Sequence, residues 1–323
     1  PCKEGAGIEM IRVEKHVHGI AVSSDLGVEH DERLQYLEMR LGRRLIHIYG
    51  GQLIAPIDSI VEIYTVLGNS NVIWDEELLR LALGRLDHLD MQMRARLEVA
   101  RALEDPKAIL AGYERITELD LHQVEAVAAI VSPSLKGIAI FDEQGTGKTI
   151  MALAAFDRLR KQRVVKHLLV VAPKSVLSAW QSQCVQFLGE GYQVVVVAGA
   201  PAQRRRAIWQ PHDILLVGYE TAVREASLLR MVISIQPSSY MLVIDESYFV
   251  KNPATARAQT VAHLRGVCER AVVLCGTPAP NSALDVVNQI DVADGGVAFA
   301  GRSIPKDAEA AYLPPASQRG CIA

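Results

Sequence analysis

Ile138-Ala-Ile-Phe141-Asp142-Glu143-Gln144-Gly145-Thr146-Gly147-Lys148-Thr149 is the stretch on which the reading of this chain turns. The apolar run 138–141 has the make-up of a short buried strand, the next residues are rich in glycine, and 148–162 carries helical periodicity. Strand, glycine turn, helix is the context that a phosphate-binding loop requires. Backbone N–H groups around Gly145, Thr146 and Gly147 at a helix N-terminus attract phosphate oxygens, Lys148 is placed to reach the outer phosphates, and the Thr149 hydroxyl is a ligand for Mg²⁺. The general spacing G-x-x-x-x-G-K-T asks for Gly at 142, where this chain has Asp142.

Outward from that loop, short apolar runs alternate with amphipathic stretches. The expected strands are 138–141, 167–172, 193–198, 213–217, 240–244 and 271–275, mostly unbroken Val, Ile and Leu. Such runs fit strands covered by helices on both faces, so the pattern predicts an α/β fold with a doubly wound, mainly parallel sheet. One of these runs delivers Asp245 and Glu246 at its carboxyl end, the edge where open α/β sheets bind ligands. Asp245 is the expected holder of Mg²⁺, and Glu246 the expected base for an attacking water, a division of labour that phosphoryl transfer demands.

Residues 1–112 read differently, as a small α+β accessory domain of unassigned role: strand-like over 8–22, helical over 31–41, a hairpin over 44–55 around Gly50-Gly51, and a long helical periodicity over 74–104 interrupted at Gly84. The second domain is expected over 113–293, with an irregular tail over 294–323. That tail, and a first residue that is Pro1 and not Met, are read as marks of a fragment. The chain is half hydrophobic and 22% charged with a formal net charge of -3, which excludes a disordered chain and a global basic field. Cys2, Cys184, Cys268, Cys275 and Cys321 lack CxxC spacing, arguing against a zinc site or a disulfide framework. No apolar run reaches the roughly 18 residues of a membrane span, and no signal pattern opens the chain. The expectation is a protein neither membrane-embedded nor secreted: cytoplasmic if bacterial or phage-encoded, nuclear if eukaryotic.

Further segments, taken in order, resemble helicase superfamily two and within it the Swi/Snf-type DNA translocases. Leu119-Asp-Leu-His122-Gln123 resembles the family segment whose Gln reads adenine, and Asp142 to Thr149 resembles the family's own loop, which commonly begins Asp-Glu. Pro173-Lys174 with Trp180, Val217-Gly-Tyr219-Glu220, Val243 to Pro253 with its trailing Lys251-Asn252-Pro253, and Gly276-Thr277-Pro278 with Asn281 match the succeeding motifs. The resemblance implies a RecA-like P-loop NTPase lobe, the first of two, that uses ATP and Mg²⁺. His122, Gln123 and residues 142 to 149 then hold the nucleotide. Lys148, Asp245 and Glu246 carry the chemistry, and Lys174, Tyr219, Tyr248, Gly276, Thr277 and Pro278 face DNA or couple it to hydrolysis. Tyr248 departs from the family's His, and Ser247 from its common Ala.

The function implied is an ATP-dependent motor on double-stranded DNA, in remodelling or repair. A second RecA-like lobe supplies arginines in that family; the chain stops before one, so weak turnover is expected of it alone. Alternatives are a strand-separating DNA or RNA helicase, a restriction-system motor subunit, or a nucleotide-gated module that does not hydrolyse. An unrelated P-loop kinase is disfavoured by the motif order. Arg204-Arg205-Arg206 is read as a solvated helical face in preference to a phosphate contact, Trp180 and Trp209 as core in preference to base-stacking platforms, and the His16-x-His18 pair as no metal site.

Overall fold

The computed structural model describes residues 10–49, 51–235, 239–280 and 284–296. Ile8 and Glu9 of the first expected strand, Gly50 of the hairpin, Asn281, and 297–323 of the tail lie outside the described residues. The chain forms two compact units, divided between Met91 and Gln92.

In the first unit, β1 (Ile11–His16), β2 (Gly19–Ser24), β3 (His47–Tyr49), β4 (Gln52–Ala55) and β5 (Val72–Trp74) form one sheet in the order β3-β4-β2-β1-β5. Only the β1–β5 pairing is parallel. α1 (Glu32–Leu41) starts at Asp31, whose carboxylate accepts from the backbone N–H groups of Arg33 and Leu34, and α2 (Ile60–Leu67) follows β4. Val13, Val22, Leu34, Leu37, Leu53, Ile60 and Ile63 are buried between these elements. α3 (Glu76–Glu104) runs unbroken through Gly84, where an interruption was expected. A lone glycine costs a helix only about 1 kcal/mol, too little to end one this long.

The second unit takes in the end of α3 from Gln92, then α4 (Pro106–Ile109) and α5 (Leu121–Val131), and then alternates: β6 (Gly137–Ile140), α6 (Lys148–Lys161), β7 (His167–Ala172), α7 (Leu177–Leu188), β8 (Val194–Val197), α8 (Pro201–Trp209) and β9 (Ile214–Gly218). There follow α9 (Tyr219–Arg224), α10 (Ala226–Ile235), β10 (Tyr240–Asp245), α11 (Ala256–Arg265), β11 (Arg270–Leu274) and α12 (Leu284–Asp294). The strands pair in the order β6-β11-β10-β7-β9-β8, and every pairing is parallel. The sheet is thus the doubly wound one the apolar runs predict.

Alternation along each strand divides the core. Met241 and Val243 point to the face covered by α5, α6 and α7, while Leu242 and Ile244 point to the face covered by α8 to α12. All four are fully buried, each contributing on the order of 2 kcal/mol of apolar burial. In a parallel sheet all carboxyl ends emerge at one edge, so the loops after β6, β10 and β11, which are neighbours, open onto the same crevice.

The segment leading into α5 is fastened to this sheet through Asp157, a buried carboxylate on α6. Tyr192 donates its hydroxyl to Asp157 at 2.5 Å, and Lys161 and Arg115 stand at 3.2 and 3.7 Å. Arg115 also donates to the Phe187 carbonyl at 2.6 Å, which joins the end of α7 to the same segment. Among the described residues, no helix is long and apolar enough to cross a membrane.

Candidate active site

The glycine loop between β6 and α6 is shaped by two backbone conformations that favour glycine. Gly145 and Gly147 have φ of 86° and 81°. Gly147 is the N-cap of α6 and offers no side-chain acceptor, so the first-turn amides of that helix, from Lys148 and Thr149 onward, face the crevice without a side-chain cap. A Cβ at Gly147 would also overlap Gln123 Nε2. Glycine is required there on two counts.

Residues ahead of the loop hold it in place. The Thr146 carbonyl accepts from Gln123 Nε2 at 3.1 Å and lies 3.0 Å from His122 Nε2, which donates in the tautomer protonated there. Gln123 Oε1 in turn accepts the Asp120 backbone N–H at 3.1 Å, so one side chain both starts α5 and positions the loop. Within the loop, Thr146 Oγ1 donates to the Glu143 carbonyl at 2.9 Å, and Lys148 Nζ donates to the carbonyls of Asp142 and Glu143 at 2.9 and 2.7 Å. Glu143, Gln144 and Gly145 are exposed at the rim.

Asp245 ends β10 on the face shared with Met241 and Val243, which is the face that α7 covers. There the Trp180 indole N–H donates to Asp245 Oδ2 at 2.8 Å, while the Glu246 backbone N–H donates to Oδ1 at 2.9 Å. From the opposite face, Tyr219 donates its hydroxyl to the Asp245 carbonyl at 2.7 Å. Burial pushes the Asp245 carboxyl above the usual carboxylate range, against the Trp180 and Glu246 hydrogen bonds and the charge of Lys148. Glu246 is also pushed up, by burial first and by Asp245 second, with Lys148 again opposing. The Lys148 ammonium therefore acts on both carboxylates across the crevice. Glu246 has φ 50° and ψ 55°, a left-handed conformation that costs a non-glycine residue on the order of 1 kcal/mol and turns its side chain away from the strand's alternation.

The loop after β11 closes the same crevice. Gly276 packs on the glycine loop, where an added Cβ would lie 2.9 Å from Gln144 Cγ. The Cys275 thiol, raised by burial, lies against the Ser247 hydroxyl and the backbone of Tyr248 and Thr277. The Tyr248 ring stacks on Phe249 with centroids 4.5 Å apart. Thr277 is exposed, and Pro278 partly so.

Other expected positions fall elsewhere. Lys174 is exposed in the turn after β7. Tyr219 is 2% exposed and meets Asp245, which leaves it no surface toward a duplex. Arg204 is not part of a solvated face: with 12% of its side chain exposed it pairs with the buried Glu225 at 2.9 Å, whereas Arg205 and Arg206 are exposed. Trp209, expected in the core, is 55% exposed. His16 Nδ1 accepts the His18 backbone N–H at 3.2 Å. Trp180 is core, as read, but its use as a hydrogen-bond donor to Asp245 was missed. A buried Trp must place its N–H somewhere, which was the available signal.

A family model described as SNF2-related domain matches residues 88–294. Helicase SWR1 of Yarrowia lipolytica is 27% identical over 58% of this chain and 10% of its own length. Chromatin-remodeling ATPase INO80 of Cryptococcus neoformans is 27% identical over 61% of this chain and 11% of its own. DNA repair and recombination protein RAD54B of Gallus gallus is 27% identical over 50% and 18%. Among solved structures, the SWI2/SNF2 ATPase core of Sulfolobus solfataricus in complex with dsDNA is 25% identical, with a TM-score of 0.48 over 55% of this chain and 36% of that one. The chain thus spans less than a fifth of the length of these curated relatives. With a phosphate-type loop, a paired-carboxylate strand end and the match over 88–294 in one parallel sheet, the chain belongs to the SNF2-related domain family.

Proposed function

We propose that this chain carries the ATP-binding motor lobe of a translocase that moves along double-stranded DNA. The observation that carries the reading is geometric: the glycine loop with Lys148, the Asp245-Glu246 strand end and the Gly276 loop leave the same edge of three adjoining parallel strands, with Gly276 packed on Gln144. The residues fit the ligand: an uncapped helix end behind two left-handed glycines suits phosphate oxygens, and a hydroxyl with a carboxylate is a hard-oxygen set suited to Mg²⁺. In this reading Lys148 exchanges the carbonyls of Asp142 and Glu143 for phosphate oxygens. Thr149 and Asp245 hold Mg²⁺, with Asp245 kept in one rotamer by Trp180, and Gln123 and His122 fix the loop beside the base. Glu246 accepts the proton of the attacking water, a role helped by a carboxyl raised above its usual range. Bound Mg²⁺ supplies charge neutralisation on the phosphates.

DNA as the track is supported by the relatives' names, a chromatin-remodeling ATPase and a DNA repair and recombination protein. We place the duplex over Lys174 and Thr277, both exposed at this edge of the sheet. Completion of the site belongs to arginines of a second lobe. The test is phosphate release by this chain with a second lobe present, compared with duplex DNA, single-stranded DNA and RNA. Duplex stimulation abolished by Lys148→Ala is expected; stimulation by RNA alone, or turnover indifferent to Lys148→Ala, overturns the proposal.

A further inference from the structure

Behind the crevice lies a polar group that no role above uses. Gln289 is fully buried in α12 and its amide ties two separate loops to its own helix. Oε1 accepts the Ser247 hydroxyl at 2.5 Å, and Nε2 donates to the Pro278 and Asp285 carbonyls, each at 2.6 Å. The amide has one stable orientation, because the flipped form would set its oxygen against two carbonyl oxygens. Ser247, also fully buried, is the residue after Glu246, and Pro278 lies two residues after Gly276, which packs on Gln144 of the glycine loop. Two more ties run from the same turn to the same helix: Lys251 Nζ to Asp285 Oδ2 at 3.0 Å, and Asn288 Nδ2 to the Val250 carbonyl.

We propose that Gln289 is a positioning residue that holds the turn after the two carboxylates and the Gly276–Pro278 loop in one register, so that nucleotide at the first is felt by duplex DNA at the second. The inference rests on the nucleotide-motor reading of this crevice. An apolar residue fills a buried site at no cost in hydrogen bonds. A buried amide engaged on every side instead specifies a single arrangement, since breaking any one leg strands a polar group. Such a group is suited to carrying a shift from one loop to the other.

The quantity to measure is the ratio of duplex affinities with and without a fluorescent, slowly hydrolysed ATP analogue and Mg²⁺, on the whole chain. For the parent a ratio of about 5-fold or more is expected, within the usual range of coupling between sites. Gln289→Leu should bring the ratio close to one while the analogue alone binds nearly as before. Ser247→Ala, a milder change, should lower the ratio partway. Gln289→Glu should recover coupling as pH falls, because the carboxyl donates only when protonated. A folded Gln289→Leu that keeps the parent ratio overturns the proposal. If that variant does not fold, unchanged ratios in both Ser247→Ala and Gln289→Glu do so. A parent ratio of one with tight analogue binding defeats this inference and leaves the nucleotide reading standing; analogue binding untouched by Lys148→Ala defeats the nucleotide reading itself.

Discussion

Trp180 on α7 donates its indole N–H to Asp245 Oδ2 at 2.8 Å across 65 residues of sequence, so the carboxylate at the end of β10 is oriented by the helix packed on its own face. Trp180→Phe keeps most of the bulk and removes the donor. We expect Mg²⁺-dependent nucleotide affinity and phosphate release to fall about 10- to 100-fold, as when other supports of ligating groups are removed. Titration of a fluorescent ATP analogue against Mg²⁺ checks this; a variant with parental Mg²⁺ dependence refutes it.

Glu246 carries a carboxyl raised by burial and by Asp245. A group with its folded pKa raised contributes stability that is present below its unfolded pKa and lost as pH rises through the folded value. At neutral pH without metal, ionised Glu246 therefore weakens the fold. Glu246→Gln should melt higher than the parent at pH 7, the gap closing below pH ~4, where the parent is protonated as well. The same variant should lose about 100-fold or more in phosphate release. Melting curves across pH give the answer, and a variant less stable at pH 7 counts against it.

Gly147→Ala meets two obstacles, a φ of 81° and the Gln123 amide. Nucleotide binding should fall at least about 10-fold, with a loss of stability on the order of 1 kcal/mol or more. Adding Gln123→Ala should restore part of the stability by removing the overlap and leave the backbone penalty. A double-mutant cycle by urea denaturation separates the two; strict additivity would show that the residues do not touch.

Arg204 and Arg205 adjoin in sequence and differ in surroundings. Arg204→Ala leaves the 5%-exposed Glu225 without its close partner and should cost about 3 kcal/mol, whereas Arg205→Ala, at a site 69% exposed and 3.7 Å from the same carboxylate, should cost under about 0.5 kcal/mol. Urea midpoints of the two variants decide, and equal midpoints argue against a buried pair.

The parallel sheet was legible because strands covered on both faces spell unbroken apolar runs, and the six expected strands agree with β6 to β11 to within one residue at either end. The placement of Asp245 and Glu246 followed from the same logic, since a strand that is apolar to its end and then acidic has to deliver those side chains at the edge. Polar pairings between distant segments were not legible. Nothing in Pro201 to Trp209 reveals that Arg204 meets Glu225, because the pairing depends on how α8 rotates against α10. Gln289 is a polar residue, and nothing in its local sequence says that its amide is buried or what it meets there. Tyr219 was read from its motif as facing DNA or coupling it to hydrolysis; it stands just past β9, its ring is buried, and its hydroxyl reaches the end of β10 instead of the surface.

Because one amide of Gln123 binds the Thr146 carbonyl while its oxygen takes up the Asp120 N–H, the two ends of that side chain answer to each other. Any ligand that pulls the loop carbonyl off Nε2 frees the side chain to swing, and the first turn of α5 loses its lock. The Asp120 amide proton thereby becomes a natural gauge of events at the loop, one whose exchange with solvent can be followed by NMR without a probe inside the crevice.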